Sequence, residues 1–194
     1  VREELEEYIH GGEEGRGEWT ESTRDSLPKL ERIVLRDVSF SYGETKILDH
    51  VSMTCSVGKK YAIVGASGEG KTTLLKLLLK QLSPDQGEIF WNQCPYSKIG
   101  KGRLLQKFSY VAQSPMMFRK SVGENIVGGN QAQQKMEREY IENVAKRSGV
   151  DLIRQGMTVE KIQKLQATEL SCGEKKRVAY ARALYKQGDV LLLD

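Results

Sequence analysis

The stretch Gly65-Ala66-Ser67-Gly68-Glu69-Gly70-Lys71-Thr72 decides how this chain is read, because it matches the phosphate-binding pattern G-x-x-x-x-G-K-[ST] in full. The pattern carries chemistry only between a strand and a helix, and its flanks suggest both. Tyr61-Ala62-Ile63-Val64 is a short apolar run that predicts a buried strand entering the loop. Thr72 to Leu82, with Leu74, Leu75, Leu77, Leu78, Leu79 and Leu82, predicts a helix that is apolar on nearly every side. The first N–H groups of such a helix have no intrahelical partner, and its dipole adds roughly half a positive charge there. An anion is therefore favoured at that turn. Gly65, Gly68 and Gly70 let the backbone approach a phosphate without a Cβ in the way, and Ser67 and Thr73 belong to the same binding set. Lys71 is expected on the β and γ phosphates, and the Thr72 hydroxyl on Mg²⁺. A glycine-rich turn with a chance lysine explains neither flank.

The 194 residues suffice for one α/β domain with a sizeable core. No stretch approaches the ~20 apolar residues that a membrane span requires, and the first residues do not read as a signal peptide. Cys55, Cys94 and Cys172 are far apart and odd in number, which fits reduced thiols better than disulfides or a metal site. His10 and His50 are isolated and lack a second metal-type ligand at helical or loop spacing. The net charge of +4 is unevenly spread, since residues 1–27 hold nine acids against three bases. The basic remainder is scattered and not interleaved with aromatics, so a solvated surface around an anion site is expected rather than nucleic-acid binding.

Arg2 to Ile9 has helical spacing, and Gly11 through Ser26 is hydrophilic and reads as a linker. We therefore expect residues 1–30 to form an acidic linker and residues 31–194 the folded unit. Val1 in place of a starting methionine suggests that something precedes the linker. Strands are expected at Ile33 to Tyr42, Val51 to Val57, Gly87 to Trp91 and Phe108 to Ala112. An amphipathic helix is expected between Gln131 and Arg147, with Met136, Tyr140, Ile141 and Val144 on one face. A second should run from Ser171 to Lys186, and the apolar run Val190-Leu191-Leu192-Leu193 ends on the Asp194 carboxylate, as a buried strand.

Four further segments resemble the nucleotide-binding domain of an ABC transporter. Leu170-Ser171-Cys172-Gly173-Glu174 is similar to the family's L-S-G-G-Q signature, and the helix behind it keeps an R-x-A-x-A-R-A-L pattern. Val190–Asp194 resembles the Walker B strand, and Tyr110-Val111-Ala112-Gln113-Ser114-Pro115 resembles the Q-loop. Tyr42, in Ser39-Phe40-Ser41-Tyr42-Gly43, matches the aromatic residue on which adenine stacks. Phe118 to Ile126 resembles the segment after the Q-loop in exporter-type cassettes.

The resemblance implies a P-loop NTPase with a RecA-like core, an antiparallel β subdomain and a helical subdomain carrying the signature. It implies ATP and Mg²⁺ as ligands, with Lys71 and Gln113 catalytic and with Thr72, Gln113 and Asp194 about the metal. Ser171 and Gly173 would face the ATP of a second cassette. The acidic start suggests fusion behind a membrane domain, with the cassette on the cytoplasmic face. A glutamate after the Walker B aspartate and a histidine some thirty residues later are also implied. Since the sequence stops at Asp194, the resemblance suggests a fold incomplete at its C-terminus and a polypeptide inactive alone.

This sequence departs from the family pattern in places. Cys172 and Glu174 replace glycine and glutamine in the signature, and Val159 to Lys164 lacks the usual glycine-bearing exporter motif. A cassette that binds ATP without turnover, or a soluble ABC-type ATPase, stays open beside the exporter reading.

Overall fold

A computed structural model of the protein describes residues 27–128, 138–154 and 156–194. The expected linker up to Ser26, His10 and Met136 lie outside the described residues.

The phase of the apolar residues builds the first sheet. Strand β1 (Arg32–Tyr42) buries Ile33 and Leu35, then Val38 and Phe40, so its alternation slips by one residue in the middle. A strand with strict two-residue periodicity would turn the second pair to solvent. A bulge absorbs the slip: Asp37 takes φ +54°, and the pairing to β3 (Gln86–Trp91) shifts between Arg36 and Ser39. Gly87 sits opposite with φ +75°, where a Cβ would run into the Arg36 and Asp37 carbonyls. The bulge is held from its other side by β2 (Thr45–Ser56), where Asp37 N donates to Ser52 Oγ at 2.9 Å and His50 N to Ser39 Oγ at 2.9 Å. His50 is thus a hairpin residue, its Nδ1 2.7 Å from Asp37 Oδ1.

With the short β4 (Cys94–Pro95) the order is β2-β1-β3-β4, antiparallel throughout. Helix α1 (Lys71–Leu78) shares one core with this sheet, through Leu74, Leu75, Leu77, Leu78 and Leu79. It is shorter than expected, because Lys80 turns to φ +51°. Leu30 is buried in that core and Trp91 Nε1 donates to Pro28 O at 3.0 Å, so the chain before β1 already packs on the sheet.

After α2 (Lys101–Lys107), strand β5 (Phe108–Val111) runs parallel to β6 (Val190–Leu193). A second apolar cluster joins α3 (Val122–Val127), α4 (Arg138–Ser148), α5 (Val159–Gln163) and α6 (Cys172–Lys186). The antiparallel sheet, the parallel pair with the loop-bearing helix, and the helical unit are the three parts that the resemblance implied.

Two expectations are corrected. Tyr61–Val64 is not a strand and not buried: it pairs with nothing among the described residues, and Val64 is 90% exposed. An apolar run becomes a strand only where a neighbour completes its ladder, and here only Tyr61 is tied back, its hydroxyl accepting from Ser56 N at 2.9 Å. Likewise β6 is not buried on both faces, since Leu191 and Leu193 are 46% and 53% exposed.

Candidate functional site

Helix α1 begins at Gly70, whose φ of +84° no side-chain-bearing residue adopts readily. Size excludes a side chain as well, since a Cβ there would meet Ile47 Cγ2 at 2.8 Å and Ile47 O at 3.2 Å. The β1–β2 hairpin therefore packs directly against the loop. No side chain caps the helix and no acid lies in its first turn, so nothing on the helix itself competes for the orphan N–H groups. Lys71 Nζ curls back onto the loop, donating to Gly65 O at 2.8 Å and to Ala66 O. Ser67 and Gly68 are exposed at the crest, and Thr73 is buried beneath it.

The Thr72 hydroxyl, expected from the sequence to bind metal, has company from the far end of the chain. Thr72 Oγ1 donates to Asp194 Oδ1 at 2.9 Å, although 122 residues separate them. Parallel pairing of β5 with β6 makes this possible: Val111 is opposite Leu193, and Asp194 N continues the ladder to Val111 O at 2.9 Å. The carboxylate is thereby delivered off the C-terminal edge of its strand to the start of α1, where α/β folds place ligands. Its second oxygen accepts from Tyr110 Oη at 3.1 Å. Burial, and then the nearby Asp194 charge, push the Tyr110 hydroxyl above its ordinary pKa, so it stays a donor. Two exposed hard oxygen donors at an anion-binding turn fit Mg²⁺, which keeps several waters and takes few protein ligands. Among the described residues no group of three or more His, Cys, Asp or Glu is placed to hold a metal.

Gln113 leaves β5 two residues beyond Val111 and is exposed at the same strand edge. Among the described residues no hydrogen bond joins it to Thr72 or Asp194. Tyr42, at the end of β1, is 45% exposed and rests edge-on against Phe40 with ring centroids 4.9 Å apart. Its partner across the hairpin is Thr45, two residues before the Ile47 that abuts Gly70.

The signature residues make contacts of their own. Ser171 caps α6 in a reciprocal box, its Oγ accepting from Glu174 N at 3.4 Å while Ser171 N donates to Glu174 Oε2 at 2.7 Å. Arg154 pairs with the other oxygen of Glu174. The Ser171 N–H, together with Arg154, holds Glu174 below the ordinary carboxylate pKa. Cys172 is exposed, and a Cβ on Gly173 would meet nothing within 4 Å, so this helix start is open to solvent. No hydrogen bond joins Ser171 or Gly173 to residues 65–72 among the described residues.

A buried network that the sequence did not announce ties the Q-loop side to the signature helix. Asn125 is fully buried, and its Oδ1 accepts from Phe118 N and from Arg182 Nη2, both at 2.9 Å. Arg182 also donates to Asn125 O at 2.8 Å and to Met116 O at 3.1 Å, and its guanidinium lies 5.4 Å from the Phe118 ring centroid. The sequence showed both partners only as parts of separate segments, Asn125 in Glu124-Asn125-Ile126 after the Q-loop and Arg182 in the R-x-A-x-A-R-A-L pattern.

Comparison with known proteins shows the family. The sequence profile of the family described as ABC transporter matches residues 48–194. A probable ABC transporter ATP-binding/permease protein of Haemophilus influenzae is 34% identical over 173 residues, which is 87% of this chain and 30% of that protein. The ATP-dependent lipid A-core flippase of Cupriavidus metallidurans is 30% identical, over 84% of this chain and 28% of that protein. Among solved structures, a bacterial Atm1-family ABC exporter with ATP bound superimposes with a TM-score of 0.77 at 28% identity. That match covers 87% of this chain and 30% of the exporter chain. The chain thus spans less than a third of the length of these relatives.

Proposed function

The chain belongs to the ABC transporter family, and from that membership we propose that it is the ATP-binding cassette of an exporter. In this reading it binds ATP with Mg²⁺ and pairs with a second cassette. Closure and reopening of that pair drive a fused membrane domain from the cytoplasmic face. Lys71 contacts the β and γ phosphates, while Thr72 and Asp194 hold the metal directly or through water. Gln113 reaches the metal and the attacking water once nucleotide is present, and Tyr42 stacks on adenine. Ser171 and Gly173 serve the partner's nucleotide from a helix start that is open to solvent.

The observation that carries the reading is the meeting of Thr72 with Asp194 at the start of the lysine-bearing helix. A chance glycine-rich turn has no reason to recruit a carboxylate from a distant strand end.

The test is ATP hydrolysis by the full-length protein reconstituted in lipid vesicles. Wild type should turn over Mg²⁺-ATP, and Lys71→Ala should lower the rate by ~10²-fold or more through loss of charge stabilisation on the transferring phosphoryl group. Equal rates would refute the assignment.

A further inference from the structure

The phosphate loop contains a carboxylate of its own. Glu69 Oε2 accepts from Ala66 N at 2.6 Å, and the Glu69 N–H returns to Ala66 O at 3.4 Å, closing a small ring within the loop. The carboxylate lies against the bare Cα of Gly65, where a Cβ would collide with Glu69 Oε2. In the same turn Lys71 Nζ is bonded to the Gly65 and Ala66 carbonyls. A donor and the cation that should meet an anion are thus both engaged inside the loop.

We propose that Glu69 is an internal competitor of the nucleotide, occupying the loop with its own carboxylate and lowering the affinity and the association rate for polyphosphates. The inference rests on the proposed binding of ATP at this loop and adds a regulation of that same site.

The physical reason is charge. A nucleoside triphosphate brings several negative charges within a few ångströms of this carboxylate. Like charges at such separations in a partly solvated loop disfavour binding by several-fold to about tenfold per close pair. The hydrogen bond to Ala66 N adds a local contact that must open before the backbone can reorganise around phosphate. Glu69 is exposed and is not part of the apolar core, so replacing it should alter the loop without altering the fold.

Two substitutions separate charge from contact. Glu69→Gln keeps an acceptor for Ala66 N but removes the charge, and Glu69→Ser removes both. The probe is a fluorescent ATP analogue mixed with the full-length protein in a stopped flow, with Mg²⁺, at low and at high salt. Both variants should bind about three- to tenfold more tightly than wild type, chiefly through a faster association rate. The gain of Glu69→Gln should shrink at high salt, where exposed charges are screened.

Unchanged or weaker binding by Glu69→Gln would overturn the proposal, weaker binding meaning that the carboxylate preorganises the loop instead. A gain for Glu69→Ser alone would also overturn it, since contact rather than charge would then be the barrier. Lys71→Ala is the control: if it binds as wild type does, the ATP reading itself fails, whatever Glu69 does.

Discussion

Thr72 Oγ1 and Asp194 Oδ1 lie 2.9 Å apart, the one opening the helix after the phosphate loop and the other closing a strand of the parallel pair. Each is exposed, and each offers an oxygen that a hard cation prefers. Asp194→Asn should therefore abolish the enhancement of ATP binding by Mg²⁺ while leaving metal-free ATP binding in place, because the phosphate donors are untouched. Titration of ATP into the full-length protein with Mg²⁺ and with a chelator would read this out. An unchanged Mg²⁺ enhancement would remove Asp194 from the metal site.

Tyr42 is predicted to contribute stacking and not phosphate affinity. Its ring is half exposed and already braced edge-on by Phe40. Tyr42→Ala should weaken ATP binding by about 1 kcal/mol, and Tyr42→Trp should retain most of it. Inorganic triphosphate, which has no base, should bind both variants as it binds wild type. Equal losses for ATP and triphosphate would argue against stacking.

The Asn125–Arg182 network should govern stability more than binding. Asn125→Ala removes the buried acceptor shared by the Phe118 N–H and Arg182 Nη2, while the other Arg182 bonds persist, at a cost of about 3 kcal/mol. Denaturant unfolding would measure it. A loss under about 0.5 kcal/mol, the range of ordinary surface changes, would mean that water replaces the amide.

The cap of the signature helix should carry an acid-sensitive share of stability. The Ser171 N–H and Arg154 lower the Glu174 pKa in the folded protein. A group depressed on folding stabilises the native state when ionised, so this contribution is complete above its ordinary value of 4.5 and is lost as pH falls through the lower folded value. The melting temperature of wild type should fall more steeply on acidification than that of Glu174→Gln. Parallel pH profiles would show that the carboxylate charge contributes nothing. Ser171→Ala should loosen the same helix start and impair ATP-driven pairing of cassettes, while binding to each separate site persists. Sedimentation with and without ATP distinguishes the two effects.

Much of this was legible because it is local. The loop of residues 65–72 and the strand from Ile33 to Tyr42 are written in the chain, whereas the slip in phase from Leu35 to Val38 emerged only with the pairing of β1 to β3. Ser171 announced the start of α6 by its residue type. The failure at Tyr61–Val64 has a definite cause: four apolar residues in a row specify burial only if strands lie on both sides, and periodicity carries no information about neighbours. The Tyr110–Asp194 and Asn125–Arg182 contacts were hidden for a related reason, since they join residues 84 and 57 positions apart through packing that no spacing rule encodes. Glu69 was visible from the start as a variable position of the phosphate pattern. Only the fold of its side chain onto Ala66 shows that it faces inward to the loop.

Calorimetry of Mg²⁺-ATP binding to the full-length protein, wild type against Lys71→Ala, tests the central claim most directly. The account predicts saturable binding by wild type and a loss of at least about tenfold in affinity for the variant, since a charge-assisted contact to phosphate is removed. Identical affinities in two folded proteins would contradict it, because the loop of residues 65–72 would then not be where the nucleotide binds.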